Sequence, residues 1–192
     1  MGEILHTIDV IYEIAKRNRQ ISKFYFAAYR YVPQALLDKG RLKIYKVDRN
    51  PLNSLKRRIH LLKIPEGWAL ALMSKVKTRA GKIMYIPQID FNCSISNKNL
   101  NLITRRFQEI MGSYLGYFIN SGNSYHYLGL TLLTKRELER FFGNCLLMQK
   151  HRDFFVDCRW IGYAFRNGYM VLRIFATKSN PEPKVIALIK SN

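Results

Sequence analysis

Two aspartates in this 192-residue chain close short apolar runs, Asp90 in IPQIDFNCS and Asp157 in FFVD, and the segment SGNSYHYLG with Ser124 and His126 lies between them. If the first run is a strand, period-two alternation puts Asp90 and Asn92 on one face and Ile89, Phe91 and Cys93 on the other. Oxygen donors grouped in this way suit a hard divalent cation such as Mg²⁺ or Mn²⁺, which shares its shell with water and phosphate. A strand that merely ends in polar residues gives the same pattern. In SYHYLG the alternation sets Ser124 and His126 on one face and Tyr125 and Tyr127 on the other, so the hydroxyl and imidazole together offer hydrogen bonds to a phosphate. His126 taken alone reads equally as a satisfied core histidine. Asp153 competes with Asp157 in the third segment and is expected to face solvent.

Elements that would position these residues can be read from periodicity. Ile4, Ile8, Ile11 and Ile14 fall at helical spacing, predicting an amphipathic helix over residues 3 to 18. Leu42 to Val47, Trp68 to Val76 and Ile83 to Phe91 read as strands, the last two joined as a hairpin at Ala80-Gly81. Leu100, Ile103, Phe107, Ile110 and Met111 form a second helical stripe. YLGYFIN and SYHYLGLTLL then form a hairpin through Ser121, Gly122 and Asn123. Thr134 and Glu137 have capping-box spacing ahead of a third helix carrying Leu138, Phe141, Phe142, Cys145 and Leu146. FFVD and YMVLRIFA add strand-like runs, CRWIGYAFRNG reads as a short helix or a loop, and VIALI follows Pro181 and Pro183. Helices alternating with strands and hairpins predict an α+β fold with a mixed or antiparallel sheet, rather than a doubly wound parallel one.

Lysine and arginine number 32 against 13 acidic residues, a net charge of +19, while 48% of the chain is hydrophobic. The chain can bury a core, and its charge calls for a polyanion, nucleic acid first. The densest basic stretch runs from Lys39 to Lys63. No apolar segment reaches the roughly 18 residues of a membrane span, and the first residues lack a cationic leader, so a protein inside the cell, in the cytoplasm or at DNA, is expected without a membrane partner. Cys93, Cys145 and Cys158 are odd in number and widely spaced, which suits reduced thiols rather than disulfides or a zinc knuckle.

The order of the three segments, an Asp-x-acid-like motif in IDFN, Ser-x-His in SGNSYHYLG and a hydrophobic-Asp motif in FFVD, resembles the motifs of archaeo-eukaryotic primases and primase-polymerases over roughly residues 67 to 176. The resemblance implies a single catalytic domain, an N-terminal αβ module packed on a module similar to an RNA-recognition fold, with residues 1 to 66 as its basic N-terminal part. It implies template-directed nucleotidyl transfer from NTPs or dNTPs on a DNA, possibly RNA, template or primer. Asp90, Asn92 and Asp157 would be the catalytic, metal-holding positions. Ser124 and His126 would hold the triphosphate, and Arg173 in GYMVLRIF would help to neutralise it. Asn92 stands where the family pattern carries a second acid, and an amide supplies an oxygen but no charge. A primase-like module that binds nucleic acid or nucleotides without catalysis, and a metal-dependent nuclease using Asp90 and Asp157, are the alternative readings.

Overall fold

The computed structural model describes residues 5–30, 42–112, 114–149, 155–178 and 180–189. Ile4, Asp153, Phe154 and the start of the basic stretch at Lys39 lie outside them. The fold is α+β, with two sheets whose described strand pairs are all antiparallel.

Helix α1 (Thr7–Arg17) forms as its periodicity predicts, burying Ile8, Ile11, Ile14 and Ala15. Strand β1 (Ile21–Tyr29), to which the sequence reading assigns no element, pairs with both β2 (Leu42–Asp48) and β3 (Ala69–Thr78). β1 is thus interior to the first sheet, although its sequence ISKFYFAAY carries no turn signals to frame it. After α2 (Leu55–His60), β3 turns back as β4 (Ile83–Tyr85) around Gly81, whose φ of 79° is favourable for glycine.

The single strand expected over Ile83 to Phe91 is two strands in different sheets. β4 belongs to the first sheet and β5 (Gln88–Asp90) to the second, and Pro87 separates them. Proline lacks the N–H that an uninterrupted ladder would need at that point.

The second sheet has the order β5, β7, β6, β9, with β6 at Gly116–Asn120, β7 at Tyr125–Gly129 and β9 at Lys184–Ile189. β6 and β7 form the hairpin expected through Ser121 to Asn123. One face of this sheet packs beneath α3 (Asn97–Met111) and α4 (Lys135–Leu147), burying Phe107, Phe118, Tyr125, Tyr127 and Phe141 in one core. Its other face gives Tyr117, Ile119 and Leu128 to the core shared with α1 and the first sheet.

The caps are local and readable. Ser96 accepts from Asn99 N–H at 3.1 Å to start α3, and Thr134 and Glu137 form the reciprocal capping box of α4. CRWIGYAFRNG is a helix, α5 (Cys158–Asn167), closed by Gly168 at φ 70°. The strand expected across YMVLRIFA shortens to β8 (Val171–Arg173) against β3. The strand expected at FFVD amounts, among the described residues, to one bridge between Phe91 and Val156.

Candidate active site at the edge of the second sheet

Asp90 ends β5, and the β5–β7 register sets it opposite His126. On the other side of β5, the antiparallel bridge Phe91 to Val156, continued by one residue, carries Asp157 beside Asp90. The backbone bond from Asn92 N to Phe155 O, 2.8 Å, holds that segment in place. His126, Asp90 and Asp157 therefore form a row across three neighbouring segments. Ile89 and Phe91, on the opposite side, anchor β5 in the aromatic core.

His126 is 7% exposed, and its Nε2 lies 3.4 Å from Asp90 Oδ1. Burial, aided by Arg173, pushes the imidazole down to about 3, so His126 is neutral at physiological pH. Asp90 is pushed up to about 7, by burial first and then by the charge of Asp157, with Arg173 acting in the opposite sense. Its side chain keeps 40% of its surface open to solvent, while the protein packed around the rest crowds the carboxylate.

Asp157 is exposed and has a second task. It is the N-cap of α5, accepting from Arg159 N–H at 2.8 Å through Oδ1. Asn92 is exposed just past β5.

The two remaining motif residues hold backbone. Ser124 Oγ donates to the carbonyl of Phe91 and accepts from Cys93 N–H at 3.5 Å, clipping the β6–β7 turn to the end of β5. Arg173 donates to the carbonyls of Phe175 (2.6 Å), Pro181 (2.8 Å) and Ser121, tying β8 to the same turn. Its charge remains close enough to act on both Asp90 and His126.

The sequence reading missed two residues here. Gln88 shares the face of Asp90 and is fully buried; its Nε2 donates to Leu72 O at 3.3 Å, joining the two sheets, and its Oε1 has no partner among the described residues. The alternation that pairs Asp90 with Asn92 extends back to Gln88 and could have found it. Tyr29, at the end of β1, acts electrostatically on Arg173, and nothing local in the sequence points to it.

The carboxylates of Asp90 and Asp157 supply hard oxygens, and the burial of Asp90 and its nearness to the charge of Asp157 disfavour its ionised form, which a cation would relieve. Among the described residues there is no group of three or more His, Cys, Asp or Glu side chains able to hold a metal. A cation here would have to take most of its shell from water and phosphate.

A family model described as AEP-like, archaeo-eukaryotic primase 1D-like, matches residues 50–186. The match spans most of the chain and all the motif residues, and the chain belongs to this family, whose chemistry is primase-type nucleotidyl transfer. No curated protein and no solved structure matches it. No helix among the described residues is long and apolar enough to cross a membrane.

Proposed function

We propose that the chain is a template-directed nucleotidyltransferase that starts or extends a nucleic-acid strand from NTPs or dNTPs with Mg²⁺ or Mn²⁺, working at DNA inside the cell. The observation that carries this reading is the row His126, Asp90, Asp157, with Arg173 beside it, in a chain otherwise poor in acids. A bound divalent cation would lower the pKa of an attacking 3′-hydroxyl and offset charge on departing pyrophosphate. Asp90, Asp157 and the Asn92 amide would hold it. Neutral His126 has a ring N–H to offer a triphosphate oxygen, and Arg173 adds positive field from a fixed position. Ser124 keeps the β6–β7 turn against β5 and acts as a positioning residue.

Extension of a labelled primer on a DNA or RNA template, with Mn²⁺ or Mg²⁺ and nucleotides, tests this. The chain should lengthen the primer, and Asp90→Ala should reduce the rate by roughly 10²–10³-fold, the scale of losing one electrostatic group at a reacting centre. Asn92 favours one second reading, a primase-like module that binds without catalysis, because the amide leaves the site one charge short. Activity gained only in Asn92→Asp would select that reading, shortening of the primer would select a nuclease, and no extension by any version would overturn polymerisation.

A further inference from the structure

A second feature lies on the first sheet, on the face that also carries Arg173. Along β3, Ala71, Met73 and Lys75 share that face, and Ala71 pairs with Arg173. Four residues of strand, roughly 13 Å at about 3.3 Å each, separate the Arg173 position from Lys75. Around Lys75 the sheet alternates cation and ring across four strands. Lys46 of β2 faces Tyr25 of β1, Tyr25 neighbours Lys75 of β3, and Lys75 faces Tyr85 of β4. Lys75 Nζ sits 5.5 Å from the centroid of Tyr25 and 4.7 Å from that of Tyr169, which follows α5. Tyr25, Lys75, Tyr85 and Tyr169, together with Lys135, line an open cavity of about 350 Å³, within the roughly 300–1,000 Å³ of small-ligand pockets; Lys46 lies outside it, one strand beyond Tyr25. Among the described residues no acidic side chain pairs with Lys46, Lys75 or Lys135.

Unpaired cations alternating with tyrosine rings beside an open cavity match the chemistry of an unpaired nucleic-acid strand, whose bases stack on rings and whose phosphates need cations. A duplex hides its bases and leaves the rings without a role. We infer that the Tyr25–Lys75–Tyr169 pocket seats a nucleotide of single-stranded nucleic acid, with the base against a tyrosine ring and the flanking phosphates on Lys46, Lys75 and Lys135. This rests on the strand-synthesis reading for its purpose, as the hold on unpaired template, but not for its test.

Binding of a fluorescent 20-nucleotide single strand to the full chain, followed by anisotropy without divalent metal or nucleotide, keeps the two readings apart, since neither catalysis nor Asp90 is needed. Tyr25→Leu should weaken binding about 10-fold or more, while Tyr25→Phe, which keeps the ring, should bind as the parent does. Lys75→Gln should flatten the dependence of log K on log salt by about 0.7, the contribution of one phosphate contact on a single strand. Leu147→Ser, at an exposed position on the last turn of α4, serves as the control and should leave binding unchanged. Folded Tyr25→Leu and Lys75→Gln proteins with parental affinity and salt slope would overturn the inference. So would an equal loss for a duplex of the same sequence, or a loss seen only with a free nucleoside triphosphate. Failure of primer extension alongside the expected binding results would remove polymerisation and leave this site standing.

Discussion

The two faces of the second sheet do opposite work with neighbouring residues. On the helix side, Phe118 meets Phe91 and Phe107 edge-on at 5.6 Å between centroids, and Phe107 meets Tyr127 at 4.5 Å, a closed set of rings beneath α3 and α4. On the cleft side, one residue along the same strands, lie Asp90 and His126, each held in its less charged form by burial. The first face gains stability from apolar burial and ring geometry. The second gives up stability to keep ionisable groups poised where water is scarce. A strand that alternates strictly can thus anchor a site rigidly with every other residue and leave the intervening ones for chemistry.

The sharpest way to break this contrast is to empty the aromatic face. Phe118→Ala should cost about 3–5 kcal/mol in denaturant unfolding, because the cavity lies among rings that cannot collapse into it. A loss below about 1 kcal/mol would show that the rings are not the anchor.

On the cleft face the sign should reverse. The folded protein holds the Asp90 proton up to about pH 7, against 3.8 for an ordinary aspartate. The favourable contribution of Asp90 is therefore complete below pH 3.8 and is lost as pH rises through 7. Asp90→Asn should melt higher than the parent at pH 8, by about 1 kcal/mol after allowing for solvent screening of a half-open group. The gap should close towards pH 4. His126, held neutral down to about pH 3, works the other way and costs stability as pH falls below 6.5, with Arg173 facing it and Asp90 in contact. The melting profiles of Asp90→Asn and His126→Gln should accordingly tilt in opposite directions between pH 4 and 7. Parallel profiles would refute the poised-pair description.

The smallest effect concerns the roof of the aromatic face. Thr134→Ala removes the acceptor for Glu137 N–H and half of the capping box of α4, and should cost about 1 kcal/mol with extension and strand binding unchanged. A change in either activity would tie α4 to the cleft.

Much of this was legible residue by residue. Helical spacing in α1 and α3, the Thr134 and Glu137 pair, the turn at Ser121 to Asn123 and the alternation in IPQIDFN and SYHYLG are properties of a few consecutive residues, and the chain adopted what they specify. The order of the motifs pointed to the primase family, and the family match over residues 50–186 bears that out. What failed was also local in origin. Ile83 to Phe91 looked continuous because both halves are apolar, yet Pro87 separates them into different sheets, and β1 shows no clean alternation because, between two neighbours, it buries Phe26, Ala27 and Ala28 in succession.

Adjacency was decided by tertiary structure alone. That Asp157 stands beside Asp90, that Ser124 and Arg173 grip carbonyls, and that Lys46, Tyr25, Lys75 and Tyr85 line up across four strands depends on register between distant segments. Period-two alternation tells which face a side chain joins, a property of its own strand. Which side chain becomes its neighbour is set by the pairing of strands and the packing of whole faces, and no short stretch of sequence contains that information.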